Sequence, residues 1–198
     1  MMKTLLIVDP QIDFMPGGQL AVPNGNKIIE PINAIISTYD LVVATQDWHP
    51  ENHMSFANNH AQKQAFESIK LANGNSQTLW PTHCVQGSIG AEFHPELNIK
   101  PIEVIFRKGL HPEIDSYSGF FDNFKQKNTG LSGYLKTKGV FEFDICGLAG
   151  DICVYFSIND AIEQGFKVNL IEAATKALNP TTYNQQKIEL QNLGVNYL

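Results

Sequence analysis

A chain of 198 residues with 43% hydrophobic and 17% charged residues reads as an ordinary globular protein, most simply one domain spanning 1–198. Its net charge of −6 leaves no basic surplus to neutralise phosphates, which argues against nucleic acid as a partner, and no apolar run approaches the length of a membrane span. The three cysteines are odd in number and widely spaced, which suits reduced thiols in a cytoplasmic protein better than a disulfide framework.

Thr4 to Val8 is a continuous apolar run rich in branched residues, the mark of a strand covered on both faces. It is too short for a signal peptide and stops at Asp9-Pro10. A loop with Pro16, Gly17, Gly18 and Pro23 follows, then a predicted helix from about Asn26 to Ser37 with Ile28, Ile32, Ile35 and Ile36 on one side. Leu41 to Thr45 is a second buried strand. The segment from about 46 to 100 is rich in His and shows little periodicity, so it is expected to be a long insertion that builds a site. Ile102 to Phe106 is a third strand, ending in Arg107-Lys108-Gly109, and a helix is predicted near Gly130 to Lys138. Phe143 to Cys146 is a fourth strand, followed by a helix over about Asp151 to Gln164 that Gly165 closes. Val168 to Ile171 is a fifth strand, Thr181 to Asn192 the last helix, and Val195 to Leu198 a candidate sixth strand. Strands alternating with helices predict a three-layer α/β/α fold around a central, mostly parallel sheet of five to six strands.

In such sheets ligands bind beyond the carboxyl ends of the strands. Asp9, Asp47, Lys108 and the turn carrying Cys153 each follow one of the first four strands, so four reactive groups far apart in sequence are expected on one edge. Taken singly, each has an ordinary reading: Asp9 as a loop cap, Lys108 as a solvated surface lysine, Cys153 as a small apolar residue under a helix. Taken together they offer a base, a cation and a thiol at a helix start, where backbone N–H groups favour the thiolate. A separate signal lies in Asp47-Trp-His49, which puts two ligand-type residues at i and i+2 of an extended segment, with His53 and His83 further on. Imidazole and carboxylate suit a divalent metal ion, zinc before iron or manganese. Cys84 and Cys146 read as packing.

The pieces Val8-Asp-Pro-Gln-Ile-Asp-Phe14, Gly17-Gly-Gln-Leu-Ala-Val-Pro23, Thr45-Gln-Asp-Trp-His-Pro-Glu-Asn-His53, Trp80-Pro-Thr-His-Cys-Val-Gln-Gly87, Phe106-Arg-Lys-Gly109, Asp115-Ser-Tyr-Ser-Gly-Phe-Phe-Asp122 and Cys146-Gly-Leu-Ala-Gly-Asp-Ile-Cys-Val154 resemble the nicotinamidase/pyrazinamidase branch of the isochorismatase-like cysteine hydrolases over almost the whole chain. The resemblance implies the isochorismatase-like hydrolase fold, an Asp9–Lys108–Cys153 triad, and a metal held by Asp47, His49 and His83, with His53 a less secure further ligand. It implies an oxyanion hole from the N–H groups of Ala149 and Cys153, and a ring site formed by Phe14, Trp80 and Tyr117. The implied reaction is nicotinamide hydrolysis to nicotinate and ammonia through a thioester, serving NAD salvage, with pyrazinamide as a further substrate. A cysteine amidase for another small amide, or an inactive binding protein, is the alternative, and a homo-oligomer is left open. In this family the bond corresponding to Leu148–Ala149 is cis. Two positions depart from the pattern: Ile12 stands where Asn is usual, and Gly150 where Thr is usual. The second is expected to loosen the turn before Cys153 and to lower activity.

Overall fold

The computed structural model describes residues 2–198. The run Thr4–Val8 forms β1, buried throughout, and Leu41–Asp47 forms β2, also buried along its length. Ser68–Lys70 and Ser76–Thr78 pair antiparallel as β3 and β4, a small hairpin apart from the main sheet. Ile102–Lys108 is β5, Glu142–Gly147 β6, Lys167–Thr175 β7 and Asn196–Tyr197 β8. The helices are α1 (Ile29–Ile35), α2 (Leu131–Thr137), α3 (Tyr155–Glu163) and α4 (Pro180–Asn192).

Six strands form one sheet in the order β5-β2-β1-β6-β7-β8, and every neighbouring pair is parallel. Alternation along each strand sends side chains to two faces. Leu5, Ile7, Val42, Ala44 and Cys146 pack with Ile29 and Ile32 of α1. Leu6, Val8, Val43, Ile145 and Val168 pack with Leu135 of α2, Ile158 of α3 and Leu190 of α4. Both faces are therefore covered, which is why these strands read as unbroken apolar runs.

The sheet runs outward from β1 in both directions, through β2 to β5 on one side and through β6 to β8 on the other. The switch point lies between β1 and β6, and the crevice beyond their carboxyl ends is where a ligand site belongs. Asp9 directly follows β1, and the turn with Cys153 directly follows β6.

Several boundaries differ from the periodicity reading. β2 and β5 run on to Asp47 and Lys108 because Thr45–Phe106, Gln46–Arg107 and Asp47–Lys108 continue the parallel register. β7 runs on to Thr175, whose register with Gly147 resumes after an irregularity. The helix expected from Asp151 starts instead as a wide turn over Gly150–Val154, with α helix only from Tyr155. Among the described residues no helix is long and apolar enough to cross a membrane.

Candidate active site

Asp9 has φ +45°, a left-handed backbone that turns the chain sharply as it leaves β1. Its side chain is fully buried. Oδ1 accepts a hydrogen bond of 2.6 Å from the Thr45 hydroxyl, which fixes the carboxylate from the neighbouring strand. Lys108, 2% exposed, ends β5. Its ammonium donates to Asp47 Oδ1 at 2.6 Å, to the Ser116 carbonyl at 3.0 Å and to Cys153 Sγ at 3.4 Å. Asp9 Oδ2 lies 3.0 Å from the same nitrogen, a fully buried ion pair, so the ammonium has four close partners for three N–H donors and shares them. Carboxylate oxygens of Asp9 and Asp47 and the Cys153 sulfur lie within 4.8 Å of one another.

Burial is the first influence on each of these groups, and charge decides the outcome. For Asp9, desolvation outweighs the attraction of Lys108, and the nearby Asp47 charge adds to it, so its proton affinity lies above the ordinary carboxylate value. Asp47 is also desolvated, but Lys108, His49 and His83 outweigh that and hold its carboxyl below the ordinary value. Burial pushes the Cys153 thiol well up despite Lys108. The expectation that the helix start favours the thiolate is therefore corrected: desolvation dominates, and the proton must be taken by a base.

The turn bearing Cys153 is built as follows. The Leu148–Ala149 peptide is cis. The Ala149 carbonyl accepts from both Ile152 N and Val154 N, an i to i+5 closure of the kind found at functional sites. Gly150 was expected to loosen this turn, and the packing is the reverse. Its N–H donates to the Lys176 carbonyl at 2.7 Å, and a Cβ there would meet Thr175 Cγ2 and the Tyr183 ring, both at 3.0 Å.

Asp47, His49 and His83 offer ligand atoms within 4.8 Å of one another, all buried. His49 N–H donates to the Cys84 carbonyl, joining the end of β2 to the loop that carries His83. His49 Nδ1 lies 3.0 Å from the Gly109 carbonyl and His83 Nδ1 lies 2.7 Å from the Pro81 carbonyl. A carbonyl can only accept, so each ring donates its Nδ1–H there and turns Nε2 toward Asp47, at 3.5 and 3.9 Å. This is the second-sphere bonding that a metal-binding imidazole needs, so these residues fit a divalent ion. A second group, His49, His53 and Asp115, also offers ligand atoms within 4.8 Å. His53 is committed to hydrogen bonds with the Ser55 hydroxyl at 2.7 Å and, through Nε2, the Ile114 carbonyl at 3.4 Å.

Phe14, Trp80 and Tyr117 line the same cavity as Asp47, His49, His83, Ala149 and Cys153. Trp80 meets Tyr117 edge-on at 6.1 Å. Apart from His53, the candidate site residues read from the sequence are therefore brought to one cavity or to the buried charges directly behind it. Sequence reasoning missed Thr45, hidden in an apolar run, and Gln11. The Gln11 side chain donates to the Asp47 and Ala91 carbonyls and accepts from Asp47 N, tying the first loop to the end of β2. It also missed the apolar wall of Leu20, Val22, Ile152 and Leu178, of which Leu178 carries no local signal.

A model of the isochorismatase domain matches residues 3–197. A nicotinamidase from Acinetobacter baylyi is 47% identical over 174 residues, covering 88% of this chain and 81% of the relative. The solved structure of an Acinetobacter baumanii nicotinamidase/pyrazinamidase superposes with a TM-score of 0.94 at 47% identity, over 99% of this chain and 95% of that one. A Pyrococcus horikoshii pyrazinamidase solved in complex with zinc gives 0.82 at 36% identity, over 100% and 99%.

Replacing Lys108 by Met would leave two buried carboxylates without their cation. Lys108→Met is expected to destabilise the fold by about 3–5 kcal/mol, measured by urea denaturation; an unchanged midpoint would contradict the buried pairing.

Proposed function

We propose that this chain, which belongs to the isochorismatase-domain family, hydrolyses nicotinamide to nicotinate and ammonia through a thioester on Cys153. The observation that carries the reading is the meeting, at one cavity and directly behind it, of a buried thiol, a buried carboxylate–lysine pair and a group of metal-type ligands, in a chain 47% identical to a nicotinamidase.

Asp9 Oδ2, held ready by Thr45 on its other oxygen, takes the Cys153 proton as the sulfur attacks the carboxamide carbon. A burial-raised proton affinity suits Asp9 to this work better than an ordinary carboxylate. Lys108, hydrogen-bonded to Cys153 Sγ at 3.4 Å, stabilises the sulfur as its negative charge develops. The N–H groups of Ala149 and Cys153 receive the oxyanion. Protonated Asp9 then returns its proton to the departing nitrogen, ammonia leaves, and water, deprotonated by Asp9, hydrolyses the thioester to nicotinate. The product is a precursor for NAD salvage.

Asp47, His49 and His83 would hold a divalent ion, zinc before iron or manganese, which when bound supplies a Lewis-acid anchor for the ring nitrogen. Phe14, Trp80 and Tyr117 pack against the ring and exclude water from the thiol. Pyrazinamide has the same carboxamide and ring nitrogen and fits the same scheme.

Purified protein is expected to release ammonia from nicotinamide and to be far slower on small aliphatic amides. Cys153→Ala should lose turnover by roughly 10³-fold or more; wild-type turnover in that variant would refute the mechanism. Asp9 must be ionised to act, and its proton affinity is raised. The rate kcat/KM is therefore expected to fall on acidification through a midpoint above the ordinary aspartate value of about 3.9. A pH–rate profile flat down to pH ~4 would exclude Asp9 as the base. Metal content measured on dialysed protein is expected to drop in Asp47→Ala; full occupancy would remove Asp47 from the ligand set.

A further inference from the structure

Gly150 is not glycine for conformational reasons. It is absent from the residues with positive φ, so its backbone is open to any L residue. What a side chain would lack there is room, since its neighbours would have to give by a few tenths of an ångström. A Cβ there would stand 3.0 Å from Cε2 and 3.2 Å from Cζ of Tyr183, and 3.0 Å from Thr175 Cγ2. Tyr183 belongs to α4 and is 7% exposed, and its hydroxyl is buried without a partner.

The same helix and the loop before it grip the neighbouring residue of the turn. Asp151 accepts from Leu178 N and Asn179 N, both at 2.8 Å, and Gln186 Nε2 donates to the Asp151 carbonyl at 3.1 Å. Gly150 N donates to Lys176. The turn between Ala149 and Cys153 is thus bonded on one side and has an aromatic plate against its bare glycine.

We infer that Tyr183 is a positioning residue for the nucleophile: its ring, seated where a side chain at position 150 would lie, fixes the turn that aims Cys153 and the Ala149 N–H. This rests on the assignment of Cys153 as nucleophile. The Tyr183 ring and the hydrogen at Gly150 form one steric unit, so each constrains what the other position accepts. The contacts to position 150 come from the ring carbons Cε2 and Cζ, not from the hydroxyl.

The test is a steric cycle on the full-length, metal-loaded protein, with nicotinamide turnover, metal content and thermal midpoint followed in each variant. Gly150→Ala should lower kcat by about threefold or more, since the turn or the ring must give by a few tenths of an ångström and small misplacements of a reacting group are costly, while KM and metal content stay close to wild type. Tyr183→Ala should lower kcat in the same way by removing the plate. Tyr183→Phe should retain wild-type kcat. The double variant Gly150→Ala/Tyr183→Ala, in which the added methyl enters the vacated space, should turn over faster than either single variant. Additive losses in the double variant would overturn the inference, as would a Tyr183→Phe defect equal to that of Tyr183→Ala. Alkylation of Cys153 by iodoacetamide provides a readout apart from turnover: its rate should follow the same order across the folded variants, and a rate unchanged by Gly150→Ala would also overturn it. Full turnover in Cys153→Ala would instead remove the underlying reaction scheme, so the two failures are distinguishable.

Discussion

The Lys108 ammonium, buried between two carboxylates, is the constraint on which the site depends. Burying a charge costs several kcal/mol unless partners restore what water supplied. Here Asp47, the Ser116 carbonyl, the Cys153 sulfur and Asp9 surround it. The two carboxylates do not share it equally. Asp9 lies at 3.0 Å and Asp47 at 2.6 Å, and for Asp9 the cost of burial outweighs the cation's attraction, so it stays the stronger base. Asp47 receives the short hydrogen bond and becomes the more acidic of the two. One lysine thereby gives two chemically identical side chains different work.

The same ammonium joins two functions that the sequence presents as separate. Asp47 Oδ1 is shared between Lys108 and the neighbourhood of His49 Nε2, so the proton-handling group and the ligand group have a common wall. Two acids against one ammonium leave a negative excess in a dry space, which a divalent ion at the ligand group would offset. The backbone carbonyls of Gly109 and Pro81, by orienting the imidazole rings, keep both Nε2 atoms turned toward that space.

Much of this was legible in the residues because buried parallel strands are written as unbroken apolar runs. The ends of such runs show where polar groups gather, and Asp9, Asp47, Lys108 and the Cys153 turn were found that way. What stayed hidden was whatever depends on two distant segments fitting together. Thr45 looks like one more strand residue until β1 lies beside it. The hairpin of Ser68–Lys70 and Ser76–Thr78 has too little apolar alternation to declare itself. Gly150 read as slack because a glycine carries no record of its neighbours, and only Tyr183, 33 positions later, shows that the space is taken. The ionisation of Cys153 was misjudged for a related reason: the helix start is visible in sequence, whereas the depth of burial is not.

The central place of β1 also governs where along the chain the site becomes complete. Its partners are β2, close in sequence, and β6, whose pairing joins Leu5 to Asp144 and Val8 to Gly147. The β1–β2–β5 side is complete in sequence at Lys108, while the partner for the other edge of β1 comes only in the last third of the chain. Asp9 and Lys108 therefore both precede Cys153 along the chain, and the thiol sits on the turn that follows the strand covering the open edge of β1.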